Sequence, residues 1–242
     1  MSRSFYIFLF TALILAPQNS KAREDKTIVY LIPGQGADYR QFKNLKISDN
    51  FDTAYVHYFT PEKGWSMKDF ALALSEQIDT SRSFILIGVS LGGMLATEMA
   101  DFLNPEKIIL ISSAKNRGEL PPRYRFQKKL PVYRWVPKRV VKFGAQILQP
   151  IVEPASLKDR DAFREMLNAK DPAFLKRTID MIMQWDRVEY SSKIVHIHGD
   201  NDHTIPVRNV KYDYLVENGS HMMVLTQGNV ISVLINHILL QQ

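Results

Sequence analysis

The chain has 242 residues, of which 45% are hydrophobic and 23% are charged, and its net charge is +6. This is ordinary globular composition, with enough apolar residues for one sizeable core and one domain. Because cysteine is absent, disulfide bonds, thiolate catalysis and zinc sites with cysteine ligands are excluded.

Residues 1–22 have the pattern of a secretory signal peptide. Arg3 precedes an apolar run from Phe5 to Ala16, and the segment closes on Ser20-Lys21-Ala22, with small residues at the two positions that a signal peptidase reads. The run is shorter than the roughly 20 residues of a membrane-spanning helix. We expect cleavage near Ala22 and an exported, periplasmic or secreted protein; an uncleaved amphipathic anchor is the alternative.

Short apolar, β-branched runs alternate with helical patterns in residues 23–242, which we expect to form a single domain. Six runs are predicted as strands: Thr27–Ile32, Thr53–Tyr58, Phe84–Val89, Ile108–Ser113, Lys193–Gly199 and Val210–Glu217. Most are apolar throughout, as expected of parallel strands covered on both faces. The pattern predicts an α/β fold with a mostly parallel, six-stranded sheet and helices on both faces.

The interval 114–192 interrupts this alternation. It contains no good strand, and its length far exceeds that of a usual connection. Apolar residues at helical spacing predict helices near 155–169 and 171–185. We predict a helical cap that is inserted between the fourth and fifth strands.

The sequence Gly-Val-Ser-Leu-Gly-Gly at 88–93 stands where a predicted strand meets a predicted helix. It contains Gly-x-Ser-x-Gly. A sharp strand-to-helix turn holds such a serine in strained geometry, and the flanking glycines let neighbouring backbone approach closely. The pattern indicates that Ser90 is a nucleophile; a structural turn serine is the alternative.

A serine nucleophile needs a base, and the base needs an acid that orients it. Both must lie at the same edge of the sheet as Ser90. His221, between the last strand and the last helix, is the predicted base. The acid is expected in the stretch HIHGDNDH at 196–203, where we choose Asp202 and keep Asp200 as the alternative.

Acyl-transfer chemistry also needs hydrogen-bond donors for the developing oxyanion. One predicted donor is the backbone N–H of Leu91, the residue after the nucleophile. We assign the second to the backbone N–H of Gln35, in the loop Pro-Gly-Gln-Gly at 33–36. Taken alone, this loop also fits an ordinary glycine-rich turn.

Together these motifs resemble the α/β-hydrolase fold superfamily of serine esterases and lipases. The matching motifs are PGQG, GVSLGG, HGDNDHTIP and GSH, which begin at Pro33, Gly88, His198 and Gly219. The resemblance runs from Thr27 to the C-terminus, with 114–192 as the variable cap. It implies hydrolysis of a carboxylic ester or similar acyl bond through an acyl-enzyme on Ser90, with no cofactor and no metal.

Two features depart from the family's pattern. Pro33 stands where the oxyanion loop often has histidine, so the hydrogen bonding of this loop should differ. Only about four residues separate the expected cleavage site from the first strand, which leaves no room for the family's two N-terminal antiparallel strands. We expect a trimmed sheet with no domain ahead of it.

The histidines near residue 200 also suggest a metal site. His196 and His198 share a face of the fifth strand, and with Asp200 and His203 they would form a ligand set. The pattern is similar to that of metallo-β-lactamase-like hydrolases, but Asn201 stands where the next histidine is needed. We therefore favour the acid loop.

Positive charge is concentrated between Lys115 and Lys142, where ten Lys or Arg accompany one acid. A charge run is most often a solvated face. The aromatic residues of the segment make binding of a membrane surface, another anionic partner or an acyl group the alternative. They are Tyr124, Phe126, Tyr133, Trp135 and Phe143. The sequence contains no motif that reads nucleic-acid bases, so nucleic-acid binding is not expected.

Hydrolysis of a small acyl-bearing substrate is the expected function. An acyltransferase or thioesterase would use the same three side chains, and a non-catalytic binding protein would keep only the fold. An apolar acyl pocket is expected near Met181, Met183 and Trp185, although these residues would also fit a plain core.

Overall fold

Six parallel strands form one sheet in the part of the chain that the computed structural model describes, residues 26–144 and 157–241. They are β1 (Ile28–Ile32), β2 (Asp52–Tyr55), β3 (Phe84–Val89), β4 (Lys107–Ile111), β5 (Ile194–Gly199) and β6 (Tyr214–Val216). Their order is β2-β1-β3-β4-β5-β6, and every neighbouring pair is parallel. The predicted α/β fold is confirmed. The signal peptide predicted at 1–22 lies outside the described residues.

Helices cover both faces of this sheet, as predicted. On one face α1 (Met67–Ser75) and α2 (Leu91–Met99) pack against alternate strand residues such as Tyr30. On the other face α7 (Gly228–Leu240) covers the intervening residues such as Val29. This alternation follows from the two-residue period of a strand.

Helix α1 begins at a capping box formed by Ser66 and Asp69. The Ser66 Oγ accepts a hydrogen bond from the Asp69 N–H, and the Asp69 carboxylate accepts one from the Ser66 N–H. These two bonds satisfy backbone donors that the first helical turn leaves free.

The predicted cap lies between β4 and β5. It contains α3 (Pro122–Lys129), a helical stretch at 138–144, α4 (Leu157–Asn168) and α5 (Pro172–Gln184). Helix α5 begins at Asp171, whose carboxylate accepts the Ala173 N–H at 2.8 Å. None of the described helices is long and apolar enough to cross a bilayer.

The last strand is shorter than the predicted Val210–Glu217. Only Tyr214–Val216 pair with β5, where they face Ile197–Gly199. The backbone just ahead of them has another partner, because the Lys211 N–H donates to the carboxylate of Glu119 at 3.1 Å. The Glu119 side chain, in the cap region, therefore takes the backbone donor of Lys211 within the segment predicted as a strand.

Parallel strands bring their carboxyl ends to one edge of the sheet. The loops after β1, β3, β5 and β6 therefore meet at this edge, beneath the cap. A short helix, α6 (Met223–Thr226), leads from the last of these loops into α7.

We expect Gly92→Ala to lower the free energy of unfolding by about 1–3 kcal/mol, because overpacking forces the backbone to shift. A Cβ built on Gly92 would lie 2.2 Å from the carbonyl oxygen of Ile32 and 2.7 Å from that of Pro33. Gly144→Ala is the matched control, since no described atom lies within 4 Å of its Cβ position. Urea titrations followed by circular dichroism compare the two, and equal stabilities would contradict the packing described here.

Candidate active site

Ser90 occupies the turn between β3 and α2 with a strained backbone. Its φ is +52° and its ψ −116°, a combination that non-glycine residues rarely adopt. The Ser90 N–H donates to the Ile111 carbonyl at 3.0 Å, and the Ser113 hydroxyl donates to the Ser90 carbonyl at 2.6 Å. A Cβ on Gly88 would lie 2.3 Å from the Gly92 oxygen, so only glycine fits before the turn. The turn therefore has the geometry predicted for a nucleophile.

Ser90, His221 and Asp202 form one chain of hydrogen bonds. The Ser90 hydroxyl donates to Nε2 of His221 at 2.9 Å, and Nδ1–H of His221 donates to Oδ2 of Asp202 at 2.8 Å. Asp202 and His221 are buried, whereas Ser90 is only partly buried. The alternative acid, Asp200, is exposed. The structure thus brings Asp202, rather than Asp200, to the histidine.

The carboxylate of Asp202 is held by several donors at once. Its Oδ1 accepts the N–H groups of Thr204 and Ile205, each at 2.8 Å, and its Oδ2 lies 3.6 Å from Nε2 of His198. Burial raises the pKa of Asp202, but the charge and hydrogen bond of His221, the charge of His198 and the Ile205 N–H together outweigh it and hold the pKa below its ordinary value. Asp202 is therefore ionised at neutral pH.

The two strand histidines lie behind this acid. Nδ1 of His198 is 3.2 Å from Nε2 of His196, and Nε2–H of His198 donates to the Ile205 carbonyl at 2.8 Å. Burial lowers the pKa of both rings, well below the ordinary value for His196. Asp200 and His203 are exposed, and no three His, Asp or Glu residues of the described chain are grouped to hold a metal. The four candidate ligands are not brought together.

The predicted oxyanion loop lies against Ser90. A Cβ built on Gly34 would be 3.4 Å from the Cβ of Ser90. The Gly34 N–H already donates to the side chain of Gln41 at 2.8 Å, whereas the Gln35 N–H makes no hydrogen bond within the described part of the chain. Leu91 is the first residue of α2, where helical N–H groups have no partner within the helix.

The loop is also fixed by bonds that its motif does not reveal. The Tyr58 hydroxyl donates to the Pro33 carbonyl at 2.5 Å. The Gln35 side chain donates to the Thr178 hydroxyl at 2.8 Å and to the Leu175 carbonyl at 3.2 Å, both in α5. The hydrogen bonds of Gln35 therefore tie the loop to the cap. No sequence signal identifies Tyr58, Gln41 or Thr178, because each of these bonds is set by the folded packing and not by a local pattern.

A cavity of about 260 Å³ extends from Ser90 and His221 into the cap. Its walls are mostly apolar side chains, and the cap supplies Tyr124, Val141, Phe163, Leu167, Leu175, Ile179, Ile182 and Met183. Met94, Ile205 and Met222 complete the apolar lining from the sheet side. The cavity is shaped to take an apolar group next to the Ser90 hydroxyl.

The expectation of a pocket near Met181, Met183 and Trp185 is right for one of the three. Met183 lines the cavity, whereas Met181 and Trp185 are buried in the core. The indole N–H of Trp185 donates to the carboxylate of Glu98 in α2 at 2.7 Å. Trp185 therefore anchors the cap to the body of the domain.

Several solved structures share the fold of the chain. A hydrolase from Pseudomonas aeruginosa PA01 superposes with a TM-score of 0.67 at 16% identity, covering 88% of this chain and 90% of that one. A thermophilic esterase from Thermogutta terrifontis gives 0.67 at 15% identity, with 89% and 90% covered. An enol-lactonase from Burkholderia xenovorans LB400 gives 0.65 at 14% identity, with 89% and 92% covered.

No curated protein sequence is significantly similar to the chain. A family profile described as "Alpha/beta hydrolase family" matches residues 2–231. With the parallel sheet and the cap between β4 and β5, this match shows that the chain belongs to the alpha/beta hydrolase family.

Proposed function

We propose that the protein is a serine hydrolase that cleaves a carboxylic ester, or a similar acyl bond, through an acyl-enzyme on Ser90. The observation that carries this proposal is the hydrogen-bond chain from Asp202 through His221 to Ser90, which ends at the apolar cavity. Solved structures of the same fold include an esterase and an enol-lactonase, which agrees with this reaction class.

In the first half-reaction, the oxygen of Ser90 bonds to the acyl carbon while Nε2 of His221 takes the hydroxyl proton. The carbonyl π electrons move to the oxygen and give a tetrahedral oxyanion. Asp202 stays ionised, accepts the hydrogen bond from Nδ1–H, and stabilises the imidazolium ring. The low pKa of Asp202 suits this role, since the proton remains on His221.

The backbone N–H groups of Leu91 and Gln35 stabilise the oxyanion in this scheme. The bond to the leaving oxygen then breaks, and His221 gives that oxygen its proton. In the second half-reaction, water attacks the acyl carbon while His221 takes a proton from it. Ser90 departs with that proton, and the acid is released.

Changing Ser90 to Ala should abolish labelling by a fluorophosphonate probe, because the probe's phosphorus bonds to the activated serine oxygen.

Asp202→Asn should lower kcat by about 10³–10⁴, since the amide no longer holds the reactive tautomer of His221. Asp200→Asn is the matched control and should stay within about threefold of the parent. The measurements are gel fluorescence for labelling and the rate of p-nitrophenyl butyrate hydrolysis.

Labelling that persists in Ser90→Ala, or an equal loss of activity in the two aspartate variants, would be incompatible with the proposed roles.

No step in the scheme uses a metal, so activity should be unchanged in EDTA. A loss of activity that added zinc restores would instead favour the metal hypothesis.

The apolar cavity should set the acyl chain that the protein prefers. We expect kcat/KM to rise from p-nitrophenyl acetate to esters of intermediate length and to fall again for palmitate, because the volume is about 260 Å³. Ile179→Trp fills the cavity and should lower kcat/KM for octanoate at least about tenfold while acetate changes little. Val188→Trp, at an exposed position, is the control. An unaltered chain-length profile in Ile179→Trp would rule out this cavity as the acyl site.

A further inference from the structure

Two helical stretches of the cap carry apolar side chains on opposite sides. On their inner sides, Tyr124 of α3 and Val141 of the stretch 138–144 line the cavity. On their outer sides, Phe126 is 59% exposed and Phe143 is 61% exposed. A cap helix that only closed a cavity would place polar residues on its outer side.

The segment from Phe126 to Phe143 exposes several large apolar side chains. Of the seventeen in the described part of the chain, six lie between residues 126 and 143: Phe126, Leu130, Val132, Trp135, Val140 and Phe143. Trp135 is 81% exposed. We call this group the outer cap surface. Such a concentration marks an interaction surface, whereas single exposed apolar residues are normal.

Cations are interleaved with these apolar residues. Arg125 and Lys129 flank Phe126, and Arg139 lies one turn before Phe143. All three are exposed, and no hydrogen bond or ion pair of their side chains occurs within the described part of the chain. The acid of the same segment, Glu119, is buried and turned inward. The outer cap surface is therefore apolar and positively charged.

A second cavity is also rich in cations. It measures about 660 Å³, and its lining includes Tyr133, Arg134 and Lys138, which stand between Val132 and Val140 in the sequence. Five cations and two acids line it: Lys63, Arg134, Lys138, Lys176 and Arg177, with Glu62 and Asp180. The excess of positive charge in this cavity adds to the attraction that the exposed cations would exert on an anionic ligand.

We propose that the outer cap surface docks on an anionic lipid surface. A surface that combines Trp and Phe with Lys and Arg partitions into a lipid headgroup layer. Its aromatic rings lie at the boundary of the acyl chains, and its cations bind the phosphates. An acidic protein would match the charge, but it would leave the unusually exposed Trp135 without a hydrophobic environment unless it supplied a matching pocket. A lipid surface satisfies both groups without such a match.

Docking has a consequence for the substrate. Because Tyr124 and Val141 belong to the same helical stretches, docking would place the cavity beside the lipid. The substrate would then be an acyl ester that the lipid surface presents. This consequence rests on the proposed hydrolase function, whereas the docking itself does not.

Fluorescence of Trp135 tests the docking in the full chain. Vesicles of equal parts phosphatidylcholine and phosphatidylglycerol, with brominated acyl chains, should quench and blue-shift its emission. Vesicles of phosphatidylcholine alone should not, because the cationic attraction is absent. Trp135→Phe identifies the signal of this residue among the three tryptophans. The readout is local, so vesicle binding through residues 5–16 does not produce it.

Variants that keep Trp135 separate the contribution of the cations to lipid binding from that of the apolar side chains. Arg125→Glu with Lys129→Glu and Arg139→Glu should weaken partitioning about 100-fold, at roughly fivefold or more for each cation. Phe126→Ser with Phe143→Ser should weaken it at least about tenfold. Leu72→Ser with Val188→Ser removes exposed apolar residues elsewhere and should change partitioning less than about twofold.

Unchanged Trp135 emission with anionic vesicles, equal quenching by neutral vesicles, or an unaffected charge-reversed variant would each overturn the proposal. A dimer that requires Trp135 and does not bind vesicles would assign the surface to a second copy of the chain. Hydrolysis of soluble p-nitrophenyl butyrate without vesicles is measured in parallel. Lost docking with intact hydrolysis contradicts this inference alone, and docking without hydrolysis contradicts the proposed function alone.

Discussion

The close packing of α2 against the ends of β1 and β3 is the constraint on which the site depends. A left-handed backbone at a serine costs about 1–3 kcal/mol and persists only where the surroundings determine it. Here Gly88 and Gly92 let helix and strand backbones approach to distances that any Cβ would prevent. Bonds from Ser90 to Ile111 and from Ser113 then fix the turn. The strain at Ser90 follows from packing, and it directs the hydroxyl toward His221.

The second requirement is a buried carboxylate that remains charged. Burial alone would favour the neutral form of Asp202, which would release His221 from its orientation. The ring of His221, the charge of His198 and the backbone N–H of Ile205 supply the compensation. His198 closes the far side of the acid, although its own ring is buried and its pKa is lowered. The acid loop therefore makes Asp202 an acceptor at every oxygen, and its ionisation is a property of the whole loop.

The sequence was sufficient for what depends on local pattern. Apolar runs and their spacing predicted all six strands of the described chain and the cap. Gly-x-Ser-x-Gly identified the turn at Ser90, because the close packing of backbone at Gly88 and Gly92 leaves no space for a Cβ. Strand ends were less accurate. The side chain of Glu119 takes the backbone donor of Lys211, and the sequence carries no signal for such a contact.

The choice between Asp200 and Asp202 shows the same limit. Both acids follow β5, and only the turn geometry decides which of them faces inward. The roles of Tyr58 and Thr178 in holding the oxyanion loop could likewise not be predicted, since each contact joins segments far apart in sequence. Gln41 is only seven residues from Gly34, but no motif marks its side chain as the acceptor of the Gly34 N–H. Pairwise contacts of this kind are set by the folded packing, whereas element type is set by composition and period.

The cap depends both on local sequence pattern and on contacts between distant segments. Its core-facing residues, such as Trp185, attach it to α2, and its cavity-facing residues surround the space above Ser90. Gln35 adds a mechanical link, because its side chain bonds to α5 while its backbone lies in the oxyanion loop. A displacement of α5 would therefore act on the loop as well as on the acyl cavity. If the outer cap surface meets a lipid layer, the same helical stretches that contact the layer also line the acyl cavity through Tyr124 and Val141, so binding and chemistry share one structural element.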